Sequence, residues 1–371
     1  MNAETTLANP DLPAGVRRLI SETDASSRSE DDFNRLALEL FAFQFDHVPV
    51  YRRFCEWRNQ SPGSIHHWSH IPPLPVAAFK EHLVSSLPEN ERCRVFHSSG
   101  TTGQTPARHF HGATSLSLYE AALLRWFEPH FLADRPENIA FIFLTPPPAS
   151  APHSSLIHMF ETIRSKFGGA DTLYAGQMGA DGSWNLDPEQ IAAAVHDASS
   201  ANRPVALLGT AFSFVHWLDH LAGDKTRLHL PPGSRLMETG GYKGRSRVVA
   251  KTELRRLMTR FLGVPDSHIV TEYGMCELSS QAYDGVIGQV PATGKVFHFP
   301  PWVRAQIISP ESGATAHEGE TGLLRIFDLA NVCSVMALQT EDLALARPDG
   351  FELLGRDEAA EPRGCSLMAA S

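Results

Sequence analysis

The chain has 371 residues, 42% of them hydrophobic and 20% charged, and a formal net charge of -10 at pH 7. Such a length buries a sizeable core and suggests more than one subdomain, while the acidic balance excludes a nucleic-acid surface as the main partner, since those footprints are basic. No uncharged apolar run reaches the ~18 residues of a membrane span, and the opening MNAETTLANPDLPAG lacks both regions of a leader peptide, so a cytoplasmic globular protein is expected.

Residues 31–45, DDFNRLALELFAFQF, bring Phe33, Leu36, Leu40, Phe41 and Phe45 together at helical spacing, which predicts an amphipathic core helix. HHWSH at 66–70 reads as a polar loop before IPPLP, because adjacent histidines point to different sides of any regular element. CRVF at 93–96 predicts a short strand, followed by the loop SSGTTG at 98–103 and a helix with Leu116, Tyr119, Leu123 and Phe127 on its inner side. The expected order there is strand, glycine loop, helix. NIAFIFLT at 138–145 reads as a buried strand closed by three prolines, and SSLIHMFETIRSKFG as a helix from a serine cap to a glycine stop. PVALLGTAFSFVHWLDHLAG repeats the design, and this alternation predicts an α/β fold with parallel strands. From about 285 the short strands of WVRAQIIS, TGLLRIFDL and FELLG predict a small β-rich subdomain. The expected division is an α/β core with a helical N-terminal segment (1–284), a β-rich unit (285–354) and a hinge-like tail (355–371).

The loop 98–103 is the first chemical signal. Small hydroxyl and glycine residues let backbone N–H groups wrap an anion while Ser and Thr hydroxyls add donors, and no Gly-Lys-Ser/Thr follows to make it a Walker loop. Further on come ETGGYKGR at 238–245, EYGMCE at 272–277, TED at 340–342, DGFELLGRDE at 349–358 and PRGC at 362–365. This succession resembles the adenylate-forming superfamily, with YGMCE similar to its Tyr-Gly-x-Thr-Glu motif, Cys276 standing for the Thr. LPVAAFKEHL, LLGTAF, TGGYKGR and RGCSL resemble in particular the LuxE-type acyl-protein synthetases, which activate a fatty acid with ATP and take the acyl group onto a cysteine near the C-terminus.

The resemblance implies the N-terminal domain of an adenylate-forming enzyme without the usual C-terminal domain, acting on a fatty or other carboxylic acid with ATP and Mg²⁺ and handing the product to an acyl reductase. It implies that Ser98, Ser99, Gly100, Thr101, Thr102 and Gly103 hold phosphates, that Gly240, Gly241 and Tyr242 line the adenine with Tyr242 or Tyr273 stacking on it, and that Gly274 and Arg356 belong to the same nucleotide site. Glu277 would bind Mg²⁺, a cation that takes carboxylate and phosphate oxygens, and Asp342 the ribose hydroxyls. Lys243 and Arg245 both stand as partners of the α-phosphate or carboxylate. Cys365 would accept the acyl group, with Arg363 lowering its pKa and raising the thiolate fraction. Cys276 is the next thiol, and Cys55, Cys93 and Cys333 are expected in the core. Phe212, Phe214 and Trp217 with Phe141–Phe143 are candidates for an acyl-pocket wall or ordinary core. Two other functions fit the same motifs: a ligase passing the acyl group to CoA or a carrier-protein thiol, and a non-catalytic nucleotide-binding subunit of a reductase complex.

Overall fold

The computed structural model describes residues 11–22, 30–98, 105–179, 183–240, 249–291 and 294–356. The chain opens with helices α1 (Asp11–Glu22), α2 (Glu30–His47) and α3 (Pro49–Trp57). As the spacing predicts, α2 buries Phe33, Leu36, Leu40 and Phe41. Phe45 is half-buried under the Arg52 guanidinium, 5.5 Å above its ring. Gln44 is buried on the same face, where its amide donates to the Asn331 carbonyl (2.7 Å) and accepts from the Met336 amide (2.9 Å). A buried amide with both ends satisfied fixes the helical segment against the distant C-terminal half.

Strand β1 (Leu74–Pro75) and the single turn α4 (Ala78–Glu81) lead to β2 (Arg94–His97) and β3 (Arg108–His111), which pair antiparallel. Here the structure corrects the expected order: the glycine loop joins two strands of a hairpin, and helix α5 (Ala113–Phe131) follows the second strand. The alternation hides in RHFH, where His109 and His111 point inward and Arg108 and Phe110 are half-buried. Imidazoles do not read as core residues in a period-two pattern.

Next come β4 (Ala140–Phe143), α6 (Ser155–Phe167), β5 (Leu173–Tyr174), the small hairpin β6 (Gly176–Met178) and β7 (Trp184–Leu186), and then α7 (Pro188–Ser200), β8 (Val205–Thr210), α8 (Ala211–Gly223), β9 (Arg235–Thr239), α9 (Lys251–Leu262), β10 (Ile269–Tyr273) and β11 (Ala282–Tyr283). The caps follow the sequence: Ser154 accepts from the Ile157 amide at the start of α6, and Gly168 ends it. The main sheet runs β11-β10-β9-β8-β4-β5, parallel except for β11. The chain steps from β4 outward to β5, then returns to build β8, β9 and β10 on the other side. In sheets of this topology, ligands bind beyond the carboxyl ends of the strands, near the point of reversal.

The last strands, β12 (Val303–Ile308), β13 (Thr321–Asp328), β14 (Ala337–Arg347) and β15 (Gly350–Arg356), form an antiparallel sheet to which β1 adds a parallel strand on β14. The main sheet separates two apolar clusters. Phe141, Phe143 and Phe212 belong to one, while Ile142, Phe214 and Trp217 belong to the other. The aromatic residues read as one acyl-pocket wall therefore lie on opposite faces, because successive strand residues alternate sides and α8 turns its own residues to both clusters. Among the described residues, no helix is long and apolar enough to cross a membrane.

Candidate active site

Three strand ends converge. Strand register puts Thr210 beside Thr239 and Thr239 beside Glu272, so β8, β9 and β10 finish level with one another. The motifs TGG and EYG thus leave the sheet side by side. Gly240 leaves β9 with φ +74°, a left-handed turn that favours glycine. At Gly274 a Cβ would lie 2.5 Å from the Glu272 Oε1 atom, so any larger residue would have to displace that carboxylate.

Glu272 is the residue the sequence reading missed at this junction. It is buried, accepts a hydrogen bond from the Thr239 hydroxyl, and desolvation pushes its carboxyl up to about 7. Behind it lies a buried charged network. Arg255 from α9 donates to Thr271 Oγ1 and Asp284 Oδ2, both at 2.6 Å, and Thr271 Oγ1 donates to Glu238 Oε1 at 2.9 Å. A satisfied network of this kind rigidifies the strand ends it joins. Glu272 gives a pH prediction. Its folded pKa lies above the ordinary 4.5, so the stability that the proton brings is present at low pH and lost as pH rises through about 7. Glu272→Gln removes that titration, and its stability relative to the parent should rise by roughly 3 kcal/mol between pH 5 and 8. Denaturant midpoints across that range measure it; a pH-independent difference contradicts it.

Tyr273 ends β10 buried among Phe297, Phe299 and Phe351, with ring centroids at 5.8–6.1 Å. Its hydroxyl donates to Asp342 Oδ2 at 2.8 Å. Asp342 lies in β14, opposite Arg356 of β15, whose Nε is 3.5 Å from Asp342 Oδ1 while its Nη2 donates to Glu341 Oε2 at 3.0 Å. The TED strand and the arginine of the hinge-like GRDE are therefore clamped together beside Tyr273. Glu341, not singled out in the sequence, supplies half of the clamp.

The hairpin carrying the glycine loop is tied to the same region. His109 Nδ1 bonds the Cys276 carbonyl oxygen at 2.8 Å, and burial pushes this imidazole down to about 4, so it is neutral at pH 7 and donates from Nδ1. Adjacent Glu277 is 1% exposed, and its main-chain oxygen accepts from Asn331 Nδ2 at 2.9 Å. Its Oε2 is buried with no hydrogen-bond partner among the described residues. An unpaired buried carboxylate oxygen is costly, and it has the hard-oxygen chemistry of a divalent-cation ligand. Glu277 thus fits the role that the motif implies for it.

At the base of the loop Ser98 accepts from the Ala107 amide at 2.8 Å, which closes the loop and leaves its hydroxyl proton to donate. Ser99, Gly100, Thr101, Thr102, Gly103, Gly241, Tyr242, Lys243, Arg245, Arg363 and Cys365 lie outside the described residues. Of the other thiols, Cys55, Cys276 and Cys333 are buried, and desolvation pushes Cys55 up to about 12 and Cys333 to about 11. Cys93 corrects the expectation of a core residue: it is exposed, just ahead of β2, with its Sγ 3.4 Å from the His111 carbonyl oxygen. Among the described residues, no group of three or more His, Cys, Asp and Glu gathers as a metal site.

Comparison with known proteins places the fold. No family model matches the chain. The long-chain-fatty-acid–luciferin-component ligase of Aliivibrio fischeri is 21% identical over 352 residues, covering 91% of this chain and 88% of its own. Among solved structures, 2-hydroxyisobutyryl-CoA ligase in an open conformation with 2-HIB-AMP and CoA gives a TM-score of 0.63 at 14% identity, covering 92% of this chain and 75% of that one. The same enzyme in its postadenylation state gives 0.63 at 15% identity, covering 92% and 73%. The fold is that of the adenylate-forming ligases, and the chain is similar along most of its length to a LuxE-type ligase.

Proposed function

We propose that this protein joins a carboxylic acid, most simply a long-chain fatty acid, to AMP at the expense of ATP, and then takes the acyl group onto Cys365 for delivery to an acyl reductase. The observation that carries the reading is a buried Glu277 whose Oε2 has no hydrogen-bond partner among the described residues, next to Cys276, whose carbonyl is bonded by His109 of the hairpin that carries the phosphate-type loop. The similarity to a ligase named for long-chain fatty acids supports the substrate class.

A carboxylate is a poor electrophile. In the first half-reaction its oxygen attacks the α-phosphorus of ATP, the bond to pyrophosphate breaks, and acyl-AMP results. Mg²⁺ held by Glu277 would supply positive charge against the crowded phosphate oxygens. The chain's own part is to hold and orient: the loop from Ser98 cradles phosphate, Gly240 opens space for the base, and Asp342, fixed by Tyr273 and Arg356, accepts from ribose hydroxyls. Donors and acceptors fixed in advance stabilise the transition state without reorganising. In the second half-reaction the Cys365 thiolate attacks the acyl carbon and AMP leaves, so a thioester replaces the mixed anhydride.

Asp342→Ala should weaken ATP binding while leaving the rate at saturating ATP less affected, because a ribose contact is made in ground and transition states alike. A raised KM for ATP in acid-dependent pyrophosphate exchange, on the order of tenfold for a lost charge-assisted hydrogen bond, is expected. An unchanged KM rejects the ribose role.

A further inference from the structure

Helix α3 has a second face. Tyr51 and Cys55 are buried in the core, whereas Val50, Phe54 and Trp57, spaced i, i+4 and i+7, lie on another side, the first two half-buried and Trp57 78% exposed. Arginines surround this stripe. Arg53 and Arg58 are exposed, and the Arg58 guanidinium lies 5.5 Å from the Phe54 ring centroid. Arg58 also lies near Arg325 of β13, whose guanidinium it pushes down in pKa after burial, the larger cause. Arg325 bonds the Gln339 amide oxygen at 3.1 Å, and no carboxylate forms an ion pair with Arg53, Arg58 or Arg325 among the described residues. The acids nearby in sequence are Asp46, paired with Arg52 at 3.1 Å, and exposed Glu56.

Two neighbouring guanidiniums without a counter-ion repel each other, and an anion between them removes that cost. Guanidiniums match phosphate oxygens in paired hydrogen bonds. Tryptophan has an apolar body and a polar N–H, which suits the boundary between lipid and water. The chain's overall charge of -10 does not oppose this, since at physiological salt charges act within roughly 8 Å, so the local cluster decides.

We propose that the α3 face docks on the anionic surface of a phospholipid membrane, with Trp57 and Phe54 entering the interface and Arg53, Arg58 and Arg325 meeting lipid phosphates. None of Phe54, Trp57, Arg53, Arg58 and Arg325 is assigned a part in the reaction, so the proposal holds or fails independently of it. A long-chain acid, if that is the substrate, partitions into the same surface.

The test is co-sedimentation of the full chain with vesicles of phosphatidylcholine alone and with about a third phosphatidylglycerol. Binding is expected only to the anionic vesicles, falling about fivefold for each of Arg53→Ala and Arg58→Ala, and lost at ~1 M salt. Trp57→Ala should weaken it severalfold at unchanged salt dependence, and because the altered side chains are exposed, melting temperatures should not move. Equal binding to both vesicles, no binding, or binding indifferent to these substitutions overturns the proposal. So does self-association that Trp57→Ala abolishes, which would give the face to a second copy of the chain.

Discussion

Glu277→Ala is expected to lower acid-dependent ATP–pyrophosphate exchange on the order of 10²–10³-fold, the usual cost of removing one group that stabilises charge in a transition state. The variant should still fold, because Oε2, one of the two oxygens removed, has no hydrogen-bond partner to lose among the described residues. The same substitution tests both halves of the assignment. A purified, folded variant that exchanges at the parent rate would reject the cation-ligand role, while one that fails to fold would make Glu277 structural. Glu277→Gln keeps shape and volume but not charge, and is expected to lose exchange to a similar degree.

Cys365→Ser should separate the two half-reactions. Adenylation uses the loop and Glu277 but no thiol, so exchange stays near the parent rate, while hydroxylamine-labile acyl label on the protein disappears. A serine hydroxyl is not appreciably ionised at neutral pH and is a far weaker nucleophile. The buried thiols offer little competition, since burial holds Cys55 and Cys333 at about 12 and 11. Full labelling of the variant would move the acceptor role to another cysteine, Cys276 first, and loss of exchange as well would make the tail part of the adenylating site.

Much of the fold was legible because the strands of the main sheet are short apolar runs between capped helices. FIF in β4 and VALLG in β8 admit little else, and Ser154 and Gly168 mark the ends of α6 in the expected places. Strand β3 was not legible, because its inward positions are histidines that desolvation in the surrounding core keeps neutral. The site was legible where a motif is contiguous, as in TGG, EYGMCE and TED. It was hidden where function rests on pairs far apart in sequence: Thr239 with Glu272, Tyr273 with Asp342, Glu341 with Arg356. No local pattern announces such pairs. The aromatic wall failed for a related reason, since residues one apart on a strand look contiguous in sequence and face opposite clusters in space.

The most direct test of the account is to incubate the intact chain with ATP, Mg²⁺ and a panel of radiolabelled carboxylic acids of graded chain length, then measure protein-bound label before and after hydroxylamine. The account predicts ATP-dependent label with at least one long-chain acid, released by hydroxylamine and accompanied by AMP. Label that appears only on added CoA would replace the final acceptor, and the absence of both label and acid-dependent AMP formation across the panel would contradict the account itself.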